Sequence, residues 1–300
     1  LEAPHNEYVV QRCDVTRMKR IGLVVKKVPT AVSVARTFET WLQKQGITVV
    51  NKTGWEPGNT VGKSTRSSPD DLDCVFVLGG DGTFLSAVRW VGNQAIPMAG
   101  VKFGDVGFLA EIVEDQLFQV AETVIAGKFT VQQRMRLHVT VKRDGAVRAS
   151  ETVLNDVVIN KGALARLSDI LTFIDDHYLT TYRADGLILA SPTGSTAYSL
   201  AAGGPIIHPA VPGILMTPIC PFTLTNRPLV VPDQVTIRIE LEKESTDTFL
   251  TCDGQQGFAI NHQDTVVVQK SDYPVHMINI PNQHYYDVLK SKLRWSGGRV

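Results

Sequence analysis

The sequence predicts a two-part protein, an N-terminal α/β domain on a parallel sheet followed by a C-terminal β-rich domain. Three observations carry this. Apolar runs alternate with helical patterns from Ile21 to Gly127, the pattern switches near Lys128 to period-two alternation, and 300 residues suffice for two cores. The switch puts the first domain at 18–127, joined by a closing segment 282–300, and the second at 128–281. Leu1–Arg17 has neither periodicity nor a signal-peptide core and reads as a poorly ordered or non-native extension before Met18.

Taken in order, Ile21–Val25 is a buried strand. Thr30–Gln45 is an amphipathic helix with Val34, Phe38, Trp41 and Leu42 on one side and Gly46 as its stop. Ile47–Val50 is a second strand, and Asn51–Asp71 is a polar loop rich in Gly, Pro and Ser. Cys74–Leu78 reads as a strand buried on both faces. After Gly79-Gly80-Asp81-Gly82-Thr83, residues Phe84, Leu85, Ala87, Val88 and Val91 recur at helical spacing. Ile96–Val101 is a further strand and Val113–Ala126 a further helix. Strands then dominate: Phe129–Val141, Ala146–Val153, Asp156–Asn160, Ser168–Ile174, Tyr178–Arg183, Gly186–Ser191, Cys220–Leu224, Val235–Leu241, Thr248–Cys252 and Val266–Lys270, with a hairpin turn at Asp144-Gly145. Tyr285–Leu293, with Tyr286, Leu289 and Leu293 on one face, is a closing helix too short to stand alone, expected to pack on the first domain.

Lys+Arg 30 against Asp+Glu 30 gives zero net charge, so nothing global points to nucleic acid or an anionic membrane. No apolar run approaches the length of a membrane span. Cys13, Cys74, Cys220 and Cys252 are scattered without CxxC spacing, which fits reduced thiols in a cytoplasmic protein.

Three stretches point to chemistry. GGDGT joins a strand to a helix; its glycines admit a close ligand, and the helix start offers N–H groups to an anion. Asp81 in that cradle would repel phosphate, so it suits a general base or a metal ligand. A tight βα turn with a helix-capping Asp is the alternative. The second stretch is Val153–Ile159, where Asn155 and Asp156 interrupt an apolar run; they either satisfy a bulge or turn, or meet a ribose with its vicinal hydroxyls. The third is Asp185–Ile206, a strand, then Pro192-Thr193-Gly194-Ser195-Thr196, then a small-residue helix over Ala197–Ala202. Its hydroxyls and glycine suit phosphate or hydroxyl oxygens, and Tyr198 offers a flat face to a base or nicotinamide ring; a well-capped helix packing through alanines is the alternative. Two glycine-rich turns imply two nucleotide-like ligands.

Gly58–Ser64 imitates a phosphate-binding Walker A loop but is one residue short between its glycines, and no apolar helix follows. Lys102–Glu111 is a glycine-punctuated segment, either a connection or a second wall of the crevice.

GGDGT, LNDVVI, DGLILASPTGSTAYSLAAGGP, NRPLVVP and CDGQ occur in the order found in NAD kinases, and the chain resembles that family from Met18 to Gly297. GGDGT alone is shared with diacylglycerol and sphingosine kinases; the PTGSTAY segment makes the resemblance specific. It implies an NAD kinase/diacylglycerol kinase-like fold and transfer of the ATP γ-phosphoryl, with a divalent metal ion such as Mg2+, to the 2′-hydroxyl of the adenosine ribose of NAD. It also implies Asp81 as general base, and Gly80 and Gly82, with Thr83 beside them, along the phosphate path. Asn155 and Asp156 would hold NAD, Thr193, Thr196, Ala197 and Tyr198 would shape its pocket, and Asp185 would lie near the nicotinamide. Homodimers or homotetramers, with sites completed by a neighbouring subunit, are implied as well.

Lys102 departs from the family pattern, which has Asn there; it would contact a phosphate or pair with Asp105 or Glu111. A lipid kinase would lack PTGSTAY, and a non-catalytic dinucleotide sensor would be expected to lose Asp81. If the Walker-like loop plays no part, Lys63→Ala leaves the rate and the ATP constant within about threefold of wild type, under ~1 kcal/mol. Steady-state assays with ATP saturating and then limiting check this; a large loss of ATP affinity in folded protein would extend the nucleotide site over that loop.

Overall fold

The computed structural model describes residues 10–12, 18–52, 70–103, 107–162, 167–243, 247–279 and 284–295. The Walker-like loop and Asp105 lie outside them. The described residues divide into two compact units, one holding those up to Gln133 and those from Val275 on, the other Arg134–Pro274.

In chain order the first unit begins with β1 (Val10–Arg12), β2 (Arg20–Val25), α1 (Pro29–Lys44), β3 (Thr48–Asn51), β4 (Cys74–Gly79) and α2 (Asp81–Val91). Next come β5 (Met98–Lys102), β6 (Ile112–Val113), α3 (Leu117–Ile125) and β7 (Thr130–Arg134). The second unit contains β8 (Leu137–Arg143), β9 (Ala146–Val153), β10 (Asp156–Lys161), β11 (Ser168–Ile174), β12 (His177–Ala184) and β13 (Gly186–Ala190). It continues through α4 (Tyr198–Ala201), β14 (Gly213–Ile219), β15 (Leu229–Pro232), β16 (Ile237–Leu241), β17 (Thr248–Cys252), β18 (Gln256–Ile260) and β19 (Asp264–Lys270). The chain then returns to the first unit as β20 (Val275–Asn279) and α5 (Tyr285–Leu293).

The first sheet runs β1-β7-β20-β5-β4-β2-β3, with β6 on β5. Its centre is parallel: β4 lies between β2 and β5, and all six of its residues are buried, as a strand covered on both faces requires. Phe38 and Leu42 of α1 and Leu117 of α3 pack with Phe76 and Leu78 on one face. Phe38 sits edge-on to Phe76 and Phe118, with centroids 5.2 and 5.7 Å away. Trp90 of α2 and Val75 crowd Gly22 on the other face. Gly46, at φ +78°, ends α1 as the sequence indicates.

The second compact unit begins later and ends earlier than the change in sequence pattern suggests. Thr130–Arg134 pairs with Val10–Arg12, so this part of the leading segment is a strand instead of an unordered extension. Met277 of β20 pairs with Met98 of β5, which brings Val275–Asn279 into the parallel sheet. On α5, Leu289 is buried and Leu293 half-buried as the spacing suggested, whereas Tyr286 faces solvent and Val288 is buried in its place.

The second unit holds two six-stranded antiparallel sheets, β15-β14-β13-β10-β17-β18 and β12-β11-β16-β19-β8-β9, which share one apolar core. In the second of these, β8, β16 and β19 alternate buried and half-exposed residues, the signature of one covered face. Strand β13 is buried throughout, because Ile188 and Ala190 also pack with Ile207 on its outer face. The strand expected at Cys220–Leu224 is absent. Cys220 has φ +44°, Leu224 is 84 % exposed, and the paired strand is the preceding Gly213–Ile219. Proline at 212, 218 and 221 hides that strand from pattern reading. Cys74, Cys220 and Cys252 are free thiols, and no described helix is long and apolar enough to cross a membrane.

Candidate active site

In the first unit, β4 ends at Gly79 and α2 begins at Asp81, so Asp81 sits at the carboxyl end of a central parallel strand. The capping alternative fails: no side chain caps α2. The Asp81 carboxylate turns instead to the chain after β5. There Phe108 N–H donates to Oδ2 at 2.7 Å and Leu109 N–H to Oδ1 at 2.9 Å. A Cβ at Gly107 would collide with that carboxylate, so glycine is required by close approach. A Cβ at Gly80 or Gly82 would meet no protein atom, leaving open space beside the acid. Thr83 folds its side chain under Gly79. Lys102 ends β5 opposite Gly79, at the same sheet edge.

The second unit gathers most of its sequence-predicted residues around one turn. Asp253, in the turn between β17 and β18, accepts N–H bonds from Leu154 (3.0 Å), Asn155 (2.7 Å) and Asp156 (3.2 Å). Asp253 and Gly254 both have positive φ, +50° and +60°, the backbone that Asp-Gly favours. Buried Ser191 donates its N–H to the Asn155 carbonyl (2.8 Å) and its hydroxyl to the Leu154 carbonyl (2.5 Å). Gly194 then lies so close to Asn155 that a Cβ would strike its carbonyl. Asn155, Asp156, Thr193 and Gly194 are thus one constellation, although nearly forty residues separate its parts in the sequence. The Asn155 side chain is half-buried, with no hydrogen-bond partner among the described residues.

The segment after β13 keeps its helix within the expected Ala197–Ala202, and a separate turn precedes it. Thr193–Thr196 is a 3₁₀ turn, Ala197 breaks it at φ −95°, ψ −129°, and α4 has only four residues. Without a continuous helix no sizeable dipole faces a ligand. Ser195 is structural, accepting the Ile207 N–H (2.9 Å) and donating to the Pro192 carbonyl (2.6 Å). Thr196 bonds back to the Thr193 carbonyl at 3.2 Å. Tyr198 is 48 % exposed, available to a planar ligand.

Asp185 is placed apart. It precedes β13, whereas Asp156 pairs with Ala190 at the other end, about 17 Å along the strand at ~3.4 Å per residue. Its carboxylate faces Lys161 Nζ at 3.4 Å.

Sequence reasoning did not see what Gly107, Phe108, Leu109, Ser191 and Asp253 do. CDGQ and the segment Lys102–Glu111 were visible as patterns, but their partners lie 27 or 98 residues away.

Asp156 is 4 % exposed, and burial, with Asp253 beside it, pushes its carboxyl up to about 7 against the Tyr198 N–H that favours the ionised form. Because the folded pKa lies above the unfolded value, the native state binds the proton more tightly, and stability falls as pH rises from about 4 to about 7. Asp156→Asn removes this dependence. Above pH 7 it should be more stable than wild type by roughly 1–4 kcal/mol, at 1.36 per tenfold, with no gain at pH 4. Urea melts across that range check it; parallel pH profiles for the two proteins would refute the reading.

The chain is similar to known proteins along nearly its whole length. Residues 21–129 match the ATP-NAD kinase N-terminal domain and residues 154–280 the ATP-NAD kinase C-terminal domain. The chain is 54 % identical to an NAD kinase of Desulfatibacillum aliphaticivorans, over 94 % of this chain and 100 % of that one. An NAD kinase of Syntrophobacter fumaroxidans is 44 % identical over 93 % and 99 %. Among solved structures, yeast NADH kinase complexed with NADH superposes with a TM-score of 0.86 at 26 % identity, covering 99 % of this chain and 94 % of that one. An Archaeoglobus fulgidus NAD kinase in complex with ATP shares the fold, with a TM-score of 0.72 at 22 % identity over 93 % and 100 %. With an open glycine turn carrying a fixed carboxylate, and near-complete alignment to these relatives, the chain belongs to the ATP-NAD kinase family.

Proposed function

We propose that this kinase moves the ATP γ-phosphoryl to the 2′-hydroxyl of the adenosine ribose of NAD, with Asp81 as general base. The observation that supports this reading most directly is the Asp81 carboxylate, held by two N–H groups beside the open space over Gly80 and Gly82. Each carboxylate oxygen has two lone-pair sites, so one on each remains after those bonds. The 2′-oxygen attacks Pγ as its proton passes to Asp81; the bond from Pγ to the bridging oxygen breaks, and ADP leaves with that electron pair.

The dinucleotide falls to the second unit. Asn155 and Asp156 offer an amide and a carboxyl to ribose hydroxyls, on a turn fixed by Asp253. Thr193, Thr196, Ala197 and Tyr198 line the same constellation. Asp185, far along β13, suits a dinucleotide held by a neighbouring copy, in keeping with a homo-oligomer. No cluster of three or more His, Cys, Asp or Glu that could hold a metal occurs among the described residues. This fits Mg2+ carried by the ATP phosphates and water, with Asp81 or Glu111 as the carboxylates at hand. Such an ion would neutralise charge on the transferring group.

Incubation with ATP, Mg2+ and NAD, read by an NADP-specific dehydrogenase, tests the activity. Asp81→Asn should lower turnover by ~10²–10⁴-fold with NAD affinity largely kept. The amide also turns a donor toward one backbone N–H, so it should cost about 1–3 kcal/mol of stability and the assay is made on folded enzyme. Turnover within tenfold of wild type would remove Asp81 from the role of base.

Asn155→Ala removes a contact made alike in ground and transition states. The Michaelis constant for NAD should rise while that for ATP stays within about twofold; a rise confined to ATP would place the wrong substrate there.

A further inference from the structure

The closing helix α5 carries a cation that the phosphoryl-transfer scheme has not used. Lys290 points to solvent and pairs loosely with Asp287 at 3.5 Å. Lys292, two residues on and about 200° around the helix, is half-buried. Its Nζ lies 5.7 Å from the centre of the Phe108 ring. Phe108 is the residue whose N–H holds Asp81 at 2.7 Å, so the ammonium is one residue removed from the base. On the sheet side, Lys102 ends β5 opposite Gly79, the first glycine of the catalytic turn.

We propose that Lys292, with Lys102 across the turn, grips the triphosphate of ATP beside Asp81. The inference rests on reading the GGDGT turn as the phosphoryl-transfer site. Two ammonium groups brought toward one half-buried place repel each other, and a bridging polyanion removes that cost. Burial and the neighbouring Lys102 draw the Lys292 ammonium below the ordinary lysine value, against the pull of Asp81 and Glu111. Asp81 and Glu111 are the carboxylates that face it. Phosphoryl transfer gains chiefly from positioning and charge neutralisation, which two lysines at this edge would provide.

A cation over an aromatic ring also anchors a helix, and that purely structural role predicts different kinetics. Lys292→Met keeps the apolar stem and removes the charge; Lys292→Arg keeps the charge. On the full-length chain, Lys292→Met should raise the ATP Michaelis constant about 10–100-fold, the worth of one charge-assisted hydrogen bond, with that for NAD within threefold. Lys292→Arg should recover to within about threefold of wild type. Lys102→Met should act in the same direction and keeps the test open if Lys292→Met does not fold. Calorimetric titration with a non-hydrolysable ATP analogue, without NAD, should show the same loss. An ATP constant within threefold of wild type in folded Lys292→Met, or an equal fall in turnover and melting temperature for Met and Arg alike, overturns the grip in favour of an anchor. Absence of NADP from wild type would instead overturn the functional reading; the analogue titration would still decide whether Lys292 binds triphosphate.

Discussion

In both units, the position of the candidate chemical groups depends on a carboxylate that accepts consecutive backbone N–H groups. Asp253 takes three, from Leu154, Asn155 and Asp156; Asp81 takes two, from Phe108 and Leu109. An ionised carboxylate is acceptor-only, and its hydrogen bonds are roughly twice as strong as neutral ones. One such residue can therefore fix a turn that regular secondary structure would leave loose. Around Asp253 the effect spreads: the fixed turn meets Ser191, Ser191 meets Gly194, and the 3₁₀ turn follows. Removing Asp253 would orphan several backbone donors at once.

The same device sets the electrostatics of Asp156. The Asp253 carboxylate stands beside it, and its own surroundings are nearly dry, so burial and repulsion act in one direction. Two carboxylates within one small constellation cost stability at neutral pH. On the reading proposed above, a ribose would donate hydroxyl hydrogens to this acceptor-rich turn, and the half-buried Asn155 amide beside it adds a donor.

How much of this was legible follows the range of each interaction. Local patterns carried β4, α1, the hairpin at Asp144-Gly145 and the whole span of α5, because apolar period and turn residues act within a few positions. Gly213–Ile219 escaped, since its prolines mimic loop punctuation; it is nonetheless paired on both sides. The helix expected over Ala197–Ala202 is present as Tyr198–Ala201, whereas the 3₁₀ turn before it and the backbone break at Ala197 are not encoded by composition. GGDGT was readable as a turn, whereas the partners of Asp81 were not: they arrive from the next strand's end, a contact only the fold creates. Asp185 was readable as a motif member but not as distant, because distance along β13 appears only once Asp156 is registered against Ala190.

The contrast between the two units has a physical basis. A parallel sheet sends all its strand ends to one edge, so Gly79, Asp81 and Lys102 from successive strands and turns share one rim without any long connection. Such a rim suits phosphoryl transfer, which asks for a base, glycine-open space and positive charge in one place. An antiparallel sandwich scatters its turns over both ends, and its gain is burial: β13, covered on both faces, keeps Asp156 and the Asn155 turn rigid and nearly dry. Rigidity of that kind favours recognition of a ligand that must be held in one orientation. On the proposal above, the cation on α5 belongs to the first of these logics, since it would add to a rim that already carries Lys102 within the same unit.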